Sequence, residues 1–486
     1  MKGGKSLSVL RKVVADGSWV ATAKITSQVS QIGTFFLAAR ILMPEEFGFY
    51  AFLSALMVLL VVLAEGGWAE FIMKSGDDRD RFEQLVSISL LSGVLVTSVG
   101  LGGAFVLYSA FGRQTEGVLV AIFSCWILPA AIATVYDGTL VACGRLRAQA
   151  VVRIVSEVVG FSVTATGLFM GGHAIALVVG RIVSQLVILV GSICFVRRKP
   201  RLHLTWATVV EVAAFSKYIV ATRMIIFLGS YSGTLAVGGF LGVTEAGYYR
   251  AAERIVAAIS ELMGEPVRAL AWVGFRRARD LGELNGTNAL AGAASQFLVW
   301  LFVVASPVYL GLMLVSPELI HIVLGEKWMP SAIIVSILCV KLLLLSPGYI
   351  SEPLLTLSGN IHRRMAVTMV NAAVSVLFII IFAPMGLLAL AASQCVSASF
   401  SLTTSARIQI RYVGVNWRKV IMDSIHMIGP SVGLMIAAVL SLQYVVQFAA
   451  MPTILVLLLK IAVGTAAYVS LFLIVTFWTR RFPTPA

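Results

Sequence analysis

Apolar stretches of about twenty residues, long enough to cross a ~30 Å hydrocarbon layer as a helix, recur fourteen times in this sequence. They lie near 17–40, 47–72, 84–110, 116–142, 150–171, 173–196, 217–241, 246–272, 289–315, 330–357, 365–383, 386–406, 424–444 and 452–478. In lipid, backbone N–H and C=O groups have no water to bond, so each stretch is expected to be an α-helix. Only 12% of the 486 residues are charged, about half the share usual in a soluble domain. The expected fold class is an all-α polytopic membrane protein with about fourteen transmembrane helices.

The loops set an orientation. With the N-terminus in the cytoplasm, inner segments hold Lys2, Lys5, Arg11 and Lys12; Lys74, Arg79 and Arg81; Arg145, Arg147 and Arg153. Further inner clusters surround Arg197, Arg276, Arg363, Arg411 and Arg480, whereas the outer side keeps only Arg40, Arg113 and Lys327. This asymmetry follows the positive-inside rule, with both termini cytoplasmic. The net charge of +14 is then a topology signal, and no nucleic-acid partner is expected. The basic opening leads into a span too long for a signal peptide. Cys125, Cys143, Cys194, Cys339 and Cys395 stand singly, without CxxC spacing or paired histidines. They are expected to be small core residues, with no metal and no catalytic group.

The chain repeats itself. LMPEEFGFY from Leu42 to Tyr50 matches LGVTEAGYY from Leu241 to Tyr249, 199 residues on. At the same offset Val20–Lys24 (VATAK) matches Ile219–Arg223 (IVATR), placing a cation at one depth in spans one and seven. A second match, 215 residues apart, pairs DGTLVACG from Asp137 with EPLLTLSG from Glu352. The sixteen-residue difference is assigned to an insertion in the Pro317–Pro330 loop. Repeats six spans apart imply two parallel six-helix lobes, 1–200 and 201–420, with 421–486 adding two C-terminal helices.

Charge inside the spans is the functional signal. Lys24, Arg181, Arg223, Arg250, Arg254, Lys341 and Lys460 lie within them, as do or nearly do Glu65, Asp137, Glu157, Glu253, Glu261 and Glu352. Arg250, Glu253, Arg254 and Glu261 fall near one helix face. Such a face is costly in lipid unless it lines water or an anionic ligand. Two bland alternatives stand beside this: a cation can snorkel to the interface, or pair with a carboxylate. Arg181, near Ser184 and Gln185, is equally suited to fastening span six to its neighbours. Lys341 and Lys460 are assigned structural or interfacial roles, and Trp19, Trp68, Trp206, Trp328, Trp417 and Trp478 an interfacial belt.

Four stretches carry a resemblance: LMPEEFGFY, LLVVLAEGGWAEFIMK, GYYRAAERI and EPVRALAWVGFRRARD. Together they resemble the bacterial polysaccharide flippases (Wzx type, for lipid-linked oligosaccharides). That family lies within the multidrug/oligosaccharidyl-lipid/polysaccharide exporter superfamily, which also holds the lipid II flippase. Where many members have Asp near the end of span two, this chain has Glu65. The resemblance implies twelve to fourteen helices, a cavity between lobes and alternating access. The implied substrate is an undecaprenyl-pyrophosphate-linked oligosaccharide, turned across the bacterial inner membrane for exopolysaccharide or O-antigen assembly.

On that basis Lys24, Arg223, Arg250, Arg254 and Arg181 are substrate-binding candidates, since cations give charge-assisted hydrogen bonds to phosphate oxygens. Glu65, Asp137, Glu157 and Glu352 are candidates for H⁺ or Na⁺ coupling, with pairing to intramembrane cations as the competing role. No cofactor is expected. Expected partners are the lipid-linked substrate, membrane lipids, and a polysaccharide polymerase with its chain-length machinery. The rivals are an ion-coupled multidrug exporter of the same superfamily and, from another class, a membrane-embedded polymerase or glycosyltransferase. The short outer loops argue against the second rival.

Overall fold

The computed structural model describes residues 3–76, 78–199, 201–285, 289–446 and 451–481. The described residues are helical and contain no strand. In order the helices are α1 (Gly3–Ile41), α2 (Pro44–Glu65), α3 (Trp68–Ser75), α4 (Arg79–Ser109), α5 (Gln114–Ser124) and α6 (Ile127–Ala142). Then follow α7 (Leu146–Phe169), α8 (His173–Val196), α9 (Trp206–Phe240), α10 (Val243–Asn285), α11 (Ala289–Val323) and α12 (Pro330–Leu345). The chain continues through α13 (Ser351–Leu357), α14 (Ile361–Phe382), α15 (Leu387–Val413), α16 (Trp417–Val446) and α17 (Thr453–Arg481). The pairs α2/α3, α5/α6 and α12/α13 are single spans broken part-way, so the path comprises the expected fourteen helices. By length and composition, twelve of them are able to cross a membrane. The two that fall short contain the charge-bearing α1 and α10.

The chain divides into two compact units, Met1–Tyr231 and Ser232–Ala486, the division falling inside α9. In each unit small, aliphatic and aromatic side chains fill the interior, while other large apolar residues such as Leu91, Leu95 and Val99 on α4, and Leu377, Ile380 and Ile381 on α14, point outward. That outward apolar surface suits lipid.

The repeat is written into the backbone. The turn after α1 bonds Leu42 N–H to Ala38 O at 2.8 Å, and the turn after α9 bonds Leu241 N–H to Val237 O at 2.8 Å. The helix endings after Asp137 and Glu352 match bond for bond. Arg145 N–H donates to Leu140 O and Asn360 N–H to Leu355 O, each at 2.8 Å. Both endings turn on a left-handed glycine, Gly144 (φ +66) and Gly359 (φ +76), the conformation that spares a helix end its orphan carbonyls.

The structure moves the insertion. Pro44 and Val243 start equivalent helices 199 residues apart, but Arg79 and Ala289 start theirs 210 apart. Most of the extra length therefore lies at the end of the long α10, and Pro317 is inside α11. Two further expectations change. Trp68, Trp328 and Trp417 are buried, at 7%, 0% and 8% exposure, so they are core residues and not an interfacial belt. Two of the indoles are satisfied inside: Trp68 Nε1 donates to Ala64 O at 2.9 Å and Trp417 Nε1 to Gln409 Oε1 at 3.0 Å. Cys125, Cys143 and Cys194 are exposed, not core.

In the second unit α16 and α17 pack on α11. Val303, Ile428, Met435 and Tyr468 form their apolar contact, and Tyr468 Oη donates to Val303 O at 2.7 Å. Beside it Lys460, 1% exposed, pairs with Glu318 at 2.6 Å and donates to Gln443 Oε1 at 3.3 Å. Lys460 is thus structural, as the sequence suggested. Removing one partner of a buried pair strands the other charge. Lys460→Met alone is expected to cost about 3–5 kcal/mol, lowering the thermal midpoint in detergent. Glu318→Gln with Lys460→Met should recover most of that loss. A single variant as stable as the wild type would show that the pair holds nothing together.

Candidate functional site

In the first unit the span containing α2 and α3 is broken by Gly66 and Gly67, both left-handed at φ +51 and φ +84. A Cβ on Gly66 would lie 2.4 Å from the Trp68 ring, and one on Gly67 2.8 Å from Ile219. Only glycine fits either place. The break brings two carboxylates together. On one continuous helix, residues five apart diverge by more than a right angle. Across the break, Glu65 closes α2 and Glu70 lies in the first turn of α3, and both meet Arg223 of α9. Arg223 Nη1 bonds Glu65 Oε2 at 2.8 Å, and Nη2 bonds Glu70 Oε1 at 2.9 Å and Oε2 at 3.2 Å.

This triad takes in two of the candidate residues, Arg223 and Glu65. One guanidinium is shared between two carboxylates, each held by a charge-assisted hydrogen bond. In this structure Arg223 is a salt-bridge centre that ties α9 to α2 and α3. Glu65 is its partner. Glu70, which sequence reasoning passed over, completes the site; the signal was the AEGGWAE string, where two glycines separate two acids. A separate pair, Arg81–Glu211 at 2.6 Å, fastens the beginning of α9 to α4.

The other acids divide. Asp137 Oδ2 accepts from Arg153 at 2.8 Å and Gln149 at 2.9 Å, so α6 and α7 are joined there. Glu352 pairs with Arg364 at 2.9 Å, joining α13 and α14. In both units, then, the carboxylate before the left-handed glycine binds an arginine of the next helix. Glu157 differs. Its Oε1 accepts from Ser27 Oγ at 2.7 Å, and Ser27 Oγ accepts from Gln31 Nε2 at 2.9 Å. That chain lies on the α1 face that also carries Lys24, one turn before Ser27. Lys24 is exposed. Arg181, also exposed, stacks 4.7 Å from the centre of the Trp126 ring, whose Nε1 donates to Gln185 at 3.3 Å. This stack is the kind of contact that fastening span six to its neighbours calls for.

In the second unit Glu253 of α10 is the hub. Its Oε2 accepts from Arg250 at 3.2 Å and from Thr234 Oγ1 at 3.4 Å. The Lys341 ammonium also interacts electrostatically with it. Arg250 and Arg254 are both half-buried on the same helix. Arg250 is thus ion-paired along its own helix. No group of three or more metal-ligating side chains occurs among the described residues.

The sequence profile of the polysaccharide biosynthesis protein family matches residues 37–333. The chain belongs to that family. The match takes in Glu65, Glu70, Asp137, Glu157, Arg181, Arg223, Arg250 and Arg254, and leaves Lys24 and Glu352 outside. As a family member the chain is 22% identical over 342 residues to the teichuronic acid biosynthesis protein TuaB of Bacillus subtilis (strain 168), with 68% of each chain covered. It is 22% identical over 353 residues to the lipopolysaccharide biosynthesis protein WzxC of Escherichia coli (strain K12), covering 70% of this chain and 69% of that protein. Its fold is that of the lipid II flippase MurJ in an inward closed conformation, with a TM-score of 0.70 at 13% identity over 95% of this chain and 99% of that one.

The triad is testable by a double-mutant cycle. Arg223→Gln leaves Glu65 and Glu70 facing one another, and should destabilise the protein more than Arg223→Gln combined with Glu65→Gln. The coupling expected for such contacting residues is about 0.5–3 kcal/mol, read as thermal stability in detergent. Strictly additive effects would dissolve the triad into independent side chains.

Proposed function

We propose that this chain is a flippase that carries undecaprenyl-pyrophosphate-linked oligosaccharide across the bacterial inner membrane by alternating access, supplying exopolysaccharide or O-antigen assembly. The family match over residues 37–333 carries the proposal. It performs no covalent chemistry; it lowers the barrier that hydrocarbon raises against a charged, hydroxyl-rich head group. An uncompensated charge in that layer is prohibitive, and guanidinium groups meet phosphate oxygens in a planar fork. The groups proposed to meet the pyrophosphate are Lys24 on α1 and Arg250 and Arg254 on α10. Gln28 and Gln31, on the Lys24 face, suit glycan hydroxyls.

The multidrug-exporter alternative would favour carboxylates open to cationic drugs. Here Glu65, Asp137 and Glu352 each bind an arginine. The remaining acid, Glu157, bonded through a hydroxyl, is the proposed site of H⁺ or Na⁺ coupling. A polysaccharide polymerase and its chain-length machinery are the proposed recipients of the flipped product.

Two measurements test this. In a strain deleted for the gene, Lys24→Ala together with Arg254→Ala should cut glycan export at least tenfold at normal membrane abundance. Lys24→Arg should retain partial export, because the charge survives. Normal export by the double alanine variant would remove the anion site. The proposed orientation, with both termini and the Arg276–Arg277 region cytoplasmic, is checked by reporter fusions. A fusion after Arg277 should report inside, and one after Lys327 outside. The opposite pattern would reverse it.

A further inference from the structure

A cavity of about 650 Å³ opens in the second unit among α11, α16 and α17, a size in the range of small-ligand sites. Its wall changes character along the helices. Where α11 and α16 begin, Ser295, Gln296, Asn416, Lys419 and Asp423 line it; deeper, Val299, Trp300 and Met427 do. Both helices start at this end, so the positive ends of two helix dipoles lie beside the polar part. The polar rim is fixed in place: Asn416 Oδ1 accepts from Lys419 N–H at 3.0 Å, and Asn416 N–H donates to Ser295 Oγ at 3.2 Å.

Lys419 and Asp423 are the distinctive pair. At i and i+4 they share one face of α16, about 5–6 Å apart at Cβ. Even so, neither charged group makes an ion pair or hydrogen bond with any described residue. The acids in the spans described above bond a protein partner; here a cation and an anion stand side by side over a cavity. A ligand that satisfies both carries an anionic and a cationic group a few bonds apart. A ligand that also covers Val299, Trp300 and Met427 carries an apolar chain beneath them. Polar groups at the helix starts and apolar groups toward the interior is the polarity of a lipid in that leaflet. The polar end is open as well, because a Cβ on Gly292 would meet no atom within 4 Å.

We propose that this cavity binds an aminophospholipid of the surrounding bilayer, with Lys419 on its phosphate, Asp423 on its primary ammonium and an acyl chain along Val299, Trp300 and Met427. The primary ammonium can donate N–H bonds to the Asp423 carboxylate, which a quaternary ammonium cannot. A purely anionic lipid would face that carboxylate at a cost. None of Lys24, Arg250 and Arg254 lines this cavity, and the proposal does not depend on their role.

The test is native mass spectrometry of the delipidated full chain in detergent, titrated with equimolar phosphatidylethanolamine, phosphatidylglycerol and phosphatidylcholine. The wild type should retain phosphatidylethanolamine at least fivefold over the other two. Gly292→Trp fills open space and improves helix propensity, so it should fold and lose the adduct. Asp423→Asn should erase the preference over phosphatidylglycerol, and Lys419→Gln should weaken both. Equal retention of the three lipids by the wild type would overturn the proposal, as would an unchanged adduct in Gly292→Trp and Asp423→Asn. Displacement of phosphatidylethanolamine by equimolar undecaprenyl phosphate would also overturn it, giving the cavity to a polyprenyl carrier.

Discussion

A charge in hydrocarbon must find an opposite charge or water, and much of this structure follows from that constraint. Lys460 is 1% exposed and meets Glu318 at 2.6 Å. Arg223 meets Glu65 and Glu70; Asp137 meets Arg153. Each pair also joins two helices, so neutralisation and assembly are the same event. In a membrane the apolar effect gives helices little reason to prefer one another over lipid, and such bridges help to decide which helices are neighbours.

The duplicated chain path sets off what is not duplicated. Gly66 and Gly67 break the second span, and the break lets Glu65 and Glu70 converge on Arg223. At the matching place 199 residues on, the chain has Glu265 and Pro266, and α10 runs unbroken for 43 residues. Proline at that point lacks the left-handed freedom of two glycines, and the helix passes through it. The first unit accordingly concentrates acid at a break, whereas the second strings Arg250, Glu253 and Arg254 along a continuous helix. The triad locks a helix of the first unit across a break, whereas the second unit keeps its arginine–glutamate pair along one helix.

Much of this was legible in the residues. Fourteen helices, the repeat and the structural part of Lys460 follow from apolar run length, matched strings and depth. The pairing of Asp137 with Arg153 was not legible, because Arg153 looks like a loop cation until α7 is seen to begin at Leu146. Trp68, Trp328 and Trp417 looked interfacial by position, yet are buried, since a span's end need not face lipid.

By itself the sequence determined that this is a helical membrane protein built on a repeated path, because run length and periodicity act locally along the chain. It also determined the family, through strings that survive as strings. Only the tertiary structure decided that Arg223 locks two carboxylates, that Arg181 lies on Trp126, and that Lys419 and Asp423 stand over a cavity. Whether an intramembrane charge is paired or available depends on residues a hundred or more positions away, and linear sequence carries no measure of that distance.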